Sequence, residues 1–410
     1  MNPEIKEYIS KLEVIDTHEH LPPFESLREE GDVFRDFLLH YFNVDLVSSG
    51  MSVETLELLR GDSLGATEKW RILEPYWEKC RYTGYGQGLS LSACGIYGVE
   101  DISADTIEEL NAAFMSCKKP GHYHKVLREK CNIKISILDR WGETTQCDPD
   151  FFIMANSLNA LVYPETEDAI PSLGQHTGVE ILSFDDYLKA IEIRMGQYLQ
   201  GSRLLKCGVA YSRSLDFART EKNDAERGFK ETIKTGKCDV AFSNYIFRYI
   251  VELAQESNMV MQIHTGLQEG NGNLLSNSRP ILLNQIFLDY PRMMFDVFHI
   301  GYPYQGEVGI LCKMFPNVYV DFCWTFLASP VAARRALSDW LEFLPYNKLL
   351  GYGGDYCFID AIYGHQHMAR NNIAEVLSEK VEQGLFGVEK ACEIGKALLY
   401  DNPAELFGIS

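Results

Sequence analysis

Val14-Ile15-Asp16-Thr17-His18-Glu19-His20-Leu21 is the stretch that decides how this chain is read. Side chains of a strand alternate between faces, so His18 and His20 point the same way and Glu19 points opposite. A short apolar run ends in these two imidazoles, and Pro22-Pro23 then halts further strand pairing. Two convergent histidines at a strand end are half of a divalent-metal site. The His-x-His spacing occurs three times, however. His122/His124 and His365/His367 lie in stretches with helical pattern, where residues two apart diverge by about 200°. Only His18 and His20 have the strand context.

Working outward, apolar runs alternate with helical patterns. Strand candidates are Ile133 to Leu138, Asn159 to Tyr163, Leu204 to Tyr211, Met259 to His264, Met293 to His299, Val318 to Phe322 and Leu349 to Asp355. Helices are expected at about residues 184–199, 240–257 and 330–344. With the first run this makes eight strands separated by helices, the pattern of parallel βαβ units and of a closed (β/α)8 TIM-type barrel. Residues 22–130 read as a long, mainly helical insertion after the first strand, within a single domain spanning 1–410. The stretch Gly84 to Gly98 lacks Gly-Lys-Ser/Thr and follows no strand, so it reads as a flexible loop rather than a phosphate loop.

The 410 residues are 46% hydrophobic and 12% aromatic, enough for a large core. A net charge of -20, from 38 basic and 58 acidic residues, argues against nucleic acid and anionic membranes as partners. It leaves room for a small, even anionic, substrate held by a few local cations. The 11 cysteines form no C-x-x-C and suggest no disulfide framework. No apolar leader or spanning stretch is present, and a cytoplasmic protein, with room for a homo-oligomer, is expected.

The strand ends carry the chemistry. His18 and His20, His264, His299 and Asp355 each close an apolar run, and in a barrel such positions share the C-terminal face. The motifs Thr17-His18-Glu19-His20, Ile263-His264-Thr265-Gly266, Phe298-His299-Ile300-Gly301 and Gly353-Gly354-Asp355-Tyr356 resemble the amidohydrolase superfamily. The likeness is strongest to the branch with uronate isomerases, decarboxylases and metal-dependent hydrolases, and the long insertion resembles that of uronate isomerases. The resemblance implies a metal held by His18, His20, His264 and Asp355, with His299 a second-metal ligand or acid/base. Lys206 is then either a carbamylated bridge between two metals or a lysine paired with a carboxylate inside the barrel. It lies five residues short of Tyr211, which looks too deep for the bridge. Arg213, just past that strand, is either a fork for an anionic substrate or a surface residue. Tyr211 and Trp324 are candidate pocket residues, while His40 and His176 are left structural.

Such ligands suit Zn²⁺ first and Mn²⁺ second, and the expected reaction is hydrolysis of a small amide, lactone or ester-like substrate by metal-activated water. Asp355 would relay the proton and His299 assist. The alternative is a uronate-type aldose/ketose isomerase, or a non-oxidative decarboxylase, on the same site. A third reading is a degenerate barrel that only binds.

Overall fold

In a computed structural model of the chain, residues 1–139 and 146–409 are described. Eight strands, β1 (Val14–Glu19), β2 (Ile133–Asp139), β3 (Phe152–Ser157), β4 (Leu204–Cys207), β5 (Val260–Ile263), β6 (Met294–Val297), β7 (Val318–Asp321) and β8 (Leu349–Leu350), pair in sequential order. All seven pairings are parallel. Backbone bonds bring the segment after β8 onto β1. Thr17 N–H donates to Tyr352 C=O at 3.1 Å, Asp355 N–H to His18 C=O at 2.8 Å, and His20 N–H to Tyr356 C=O at 2.9 Å. The architecture is the TIM-type barrel expected from the sequence.

Helices alternate with the strands because each apolar strand is buried on both faces and needs cover. Val240–Glu256 precedes β5, Gln305–Met314 precedes β7 and Pro330–Phe343 precedes β8. The N-terminal helix Pro3–Lys11 packs on Asp360–Glu382 and Val388–Lys396. Between β1 and β2 lie the helices Val33–Phe37, Phe42–Ser48, Val53–Arg60, Ala66–Cys80, Gly84–Ser92 and Ile107–Ser116. They enclose Phe34, Phe37, Phe42, Trp70, Trp77 and Phe114, and this apolar cluster is continuous with that around the barrel. The buried Lys69 donates to Asp32 at 2.6 Å, which caps Val33–Phe37. Among the described residues no helix is long and apolar enough to cross a membrane.

Three local expectations are corrected. Asn159 to Tyr163 is not a strand: Asn159–Val162 is one helical turn, and β3 is Phe152–Ser157 just before it. The run was apolar enough for either, and length alone could not arbitrate. The glycine-rich stretch is not a loop but begins with the helix Gly84–Ser92, capped by Thr83. Its glycines serve close packing, since a Cβ on Gly84 would lie 1.7 Å from the Leu327 carbonyl oxygen. Finally, β4 ends at Cys207 and Val209–Tyr211 is a separate 3-10 turn. Lys206 is thus at the strand end rather than deep within the barrel.

Candidate active site

The strand-end side chains converge. The His18 and His20 rings sit 4.7 Å apart, with their Nε2 atoms 3.3 Å from each other. Asp355 Oδ1 lies 3.5 Å from His18 Nε2 and 3.2 Å from His20 Nε2, while its Oδ2 lies 3.7 Å from His299 Nε2. His299 Nε2 is 3.1 Å from His264 Nδ1. Lys206 joins them, its Nζ 3.2 Å from His18 Nε2 and 4.2 Å from the centre of the Phe298 ring. His122 and His365, from the helical His-x-His pairs, are engaged elsewhere: His122 pairs with Asp360 at 2.5 Å and His365 faces Gly354 C=O.

Backbone carbonyls decide the tautomers, because a carbonyl only accepts. His20 Nδ1–H donates to Asp139 C=O at 2.7 Å, so Nε2, turned toward His18 and Asp355, carries a lone pair in the neutral ring and donates to Asp355 only when the ring is protonated. His299 Nδ1–H donates to Cys323 C=O at 3.0 Å, and His264 Nε2–H to Leu267 C=O at 2.8 Å. Their remaining nitrogens are bare as well. This is the outer-sphere pattern that aims imidazoles at a metal.

Burial shapes the charges. It holds His18 well below its ordinary pKa, reinforced by the Lys206 ammonium, and lowers His299 to about 4. His264 is pushed well down by burial and by the facing His299. Burial alone would raise Asp355, but the hydrogen bond to the His20 ring and the electrostatic pull of the neighbouring His18 and His299 outweigh it. Its carboxyl is held well below the usual range. For His20 burial pulls down and the Asp355 partner outweighs it upward. Under the donors lie four fully buried carboxyl residues, Asp16, Glu19, Asp296 and Asp321. Burial raises Asp16 to about 6 and Asp321 to about 7, so protons are shared within this layer. Asp16 accepts from Gly354 N–H at 3.0 Å and Asp321 from Cys323 N–H at 2.7 Å, tying down the strand-end backbone. His299, Trp324 and Asp355 all have positive φ, at 62°, 65° and 60°, conformations costly for non-glycine residues and frequent at functional sites.

A cavity of about 600 Å³ opens above this cluster. His20, Lys206, His264 and Asp355 form its floor, with Asn159, Tyr211 and Glu269 beside them. Its outer wall comes from the segment after β1: Arg28, Arg35, His40 and Arg60 among others. Tyr211 stands as the sequence suggests, its ring 4.9 Å from that of His264. Trp324 packs edge-on to His299 at 5.2 Å and stacks on Tyr41 at 4.4 Å, beneath the cavity. Arg213 is turned away and does not line it. Its guanidinium donates to Ser243 Oγ, Asn244 Oδ1 and the carbonyls of Ser214 and Asp216. The arginines that do line the cavity are Arg28, Arg35 and Arg60, which sequence reasoning missed. His40, read as structural, faces the cavity, and burial depresses it to about 3.

The donor set fits a divalent cation: imidazole nitrogens of His18 and His20 and a carboxylate oxygen of Asp355 lie within 4.8 Å of one another. A parallel barrel brings such strand-end donors together at its C-terminal face, where barrel enzymes place their active sites. The amidohydrolase family model matches residues 223–409, and the motifs at His264, His299 and Asp355 lie within that match. Protein fluG of Emericella nidulans is 27% identical over 220 residues, covering 50% of this chain and 25% of fluG. The uronate isomerase of Thermotoga maritima is 27% identical over 172 residues, 38% of either protein. These matches thus span a quarter to two fifths of the relatives' own lengths. The uronate isomerase of Xanthomonas euvesicatoria pv. vesicatoria matches 98% of this chain and 94% of its own at 21% identity. The solved Thermotoga maritima structure superposes with a TM-score of 0.82 at 18% identity, covering 98% of this chain and 96% of the other, and shows a shared fold.

Proposed function

We propose that the chain is a metal-dependent aldose–ketose isomerase acting on a small sugar acid of the uronate type. The observation that carries this reading is the pairing of one cavity's two sides. Arg28, Arg35 and Arg60 stand on its wall, and a histidine–carboxylate donor cluster lies on its floor. A sugar acid presents a carboxylate for the arginines at one end and a carbonyl with its neighbouring hydroxyl at the other. The uronate isomerase relatives support the same reading. Hydrolysis of an amide or lactone, the first expectation from the sequence, draws support only from the superfamily as a whole.

His18, His20 and Asp355, with His264 beside them, would hold the ion, Zn²⁺ or Mn²⁺. Bound there, a divalent ion supplies polarisation of the substrate carbonyl and hydroxyl. Asp355, kept ionised by its histidine neighbours, accepts a proton from the carbon next to the carbonyl. The proton returns to the former carbonyl carbon, so composition is unchanged and no water is consumed. His40, neutral and facing the same space, is the second group able to carry a proton there. Arg28 orients the acid; its own guanidinium is steadied by Asp360 Oδ2 at 3.4 Å.

The reading is tested by following D-glucuronate and D-galacturonate by NMR in D₂O with Zn²⁺- or Mn²⁺-loaded protein. Conversion to the ketose, with or without deuterium at the carbon beside the carbonyl, is expected. Release of CO₂, or hydrolysis of lactones and amides without any ketose formation, would overturn it.

A further inference from the structure

One strand-end group has no assigned role. Cys323 follows β7 and is fully buried. Its Sγ, an imidazole nitrogen of His299 and a carboxylate oxygen of Asp355 all lie within 4.8 Å of one another. Donors bound tetrahedrally at about 2.0–2.3 Å stand roughly 3.5 Å apart, so a small adjustment closes this triangle on one ion. Asp355 already divides its oxygens, Oδ1 toward His18 and His20 and Oδ2 toward His299.

The second observation is independent of the thiol. His299 spends its Nδ1 proton on Cys323 C=O, and His264 spends its Nε2 proton on Leu267 C=O. The two bare nitrogens, His299 Nε2 and His264 Nδ1, then face each other 3.1 Å apart with no proton between them. Lone pairs so close repel, and a cation on His299 Nε2 relieves that repulsion. The backbone also leaves room for sulfur at this spot. A Cβ on Gly353 would sit 2.8 Å from Cys323 Sγ.

We propose that Cys323 supplies a thiolate to a second divalent cation held with His299 and Asp355, Asp355 being shared with the His18–His20 group. On binding, one sulfur–metal bond forms, the S–H proton leaves to solvent, and no oxidation state changes. A sulfur donor favours Zn²⁺, Co²⁺ or Cd²⁺ over Mg²⁺ or Ca²⁺ at this position. The assignment does not depend on the substrate, so it stands or falls separately from the isomerase reading.

The test is a Co²⁺ titration of metal-stripped protein followed by absorption spectroscopy. Thiolate ligation gives an intense near-ultraviolet charge-transfer band, while imidazole and carboxylate ligation gives only weak visible bands. The near-ultraviolet band should appear by two equivalents of Co²⁺ per chain. In Cys323→Ser it should vanish while the visible bands of the first equivalent persist. No near-ultraviolet band in the unaltered protein, or an undiminished band in folded Cys323→Ser, overturns the proposal. Should Cys323→Ser fail to fold, ¹¹³Cd NMR of the unaltered protein loaded with Cd²⁺ decides. A resonance in the sulfur-ligated range supports the thiolate donor, and resonances confined to the nitrogen/oxygen range refute it.

Discussion

The floor of the cavity and its wall hold their side chains in different ways. At the floor, His18, His264, His299 and Asp355 are almost wholly buried, the His264 and His299 rings donate to carbonyls, and the carboxyl layer beneath holds the backbone at His18, Cys323 and Gly354. On the wall, Arg35 and Arg60 are partly exposed and answer mainly to near neighbours, Glu29 at 2.8 Å and Glu57 at 3.0 Å. Arg60 Nε is buried without a partner. A rigid donor cluster suits chemistry that tolerates little misplacement, and an adjustable cationic wall suits selection among substrates. Barrel enzymes commonly separate these tasks between strand ends and loops.

The largest effect should come from breaking the floor. Asp355→Asn keeps the size of the side chain but removes the proposed base and metal ligand, so kcat should fall by about 10³-fold or more with an unchanged circular dichroism spectrum. Retained turnover would mean that the floor has been misassigned. Breaking the wall should do less, and differently. Arg28→Met should raise KM for an acidic substrate by roughly 10- to 100-fold, the loss of a charge-assisted hydrogen bond, and move kcat little. An equal fall in kcat would erase the distinction between the two sides.

Acid should weaken the structure through buried histidines on both sides. His40 and His365 are each held at about 3, against about 6.5 in an unfolded chain. Above pH 6.5 both states are neutral and their full contribution is present. As pH falls from 6.5 toward 3 the unfolded chain takes up protons that the folded one refuses. Stability should then drop by about 1.4 kcal/mol per pH unit for each ring. Urea unfolding of His365→Gln between pH 7 and 5 should show a shallower slope than the unaltered chain. The smallest effect is expected where the helices of the wall meet the barrel. Gly84→Ala forces a Cβ onto the Leu327 carbonyl and should cost about 1–3 kcal/mol in denaturant unfolding, without changing the metal content.

The floor was legible because its signal is local. An apolar run leads into a histidine or aspartate, with glycine or proline close by, at His18, His264, His299 and Asp355. The wall was not. Arg28, Arg35 and Arg60 sit within the helices and turns between β1 and β2, where no period relates them to the strand ends. Arg213 was attractive only because β4 was read through to Tyr211. With the strand ending at Cys207, the 3-10 turn that follows swings the guanidinium onto Ser243 and Asn244. The same shortening brings Lys206 up to His18. His40 gave no sign because it and Tyr41 take positive φ, at 52° and 40°, a bend that sequence does not announce for these residues.

The convergent donors are the centre of this account, and metal content measures them most directly. Elemental analysis of protein purified without chelator should find about one to two Zn or Mn ions per chain, with marked loss in His18→Ala. A folded protein that carries no metal, and takes up none when Zn²⁺ or Mn²⁺ is added, would contradict it.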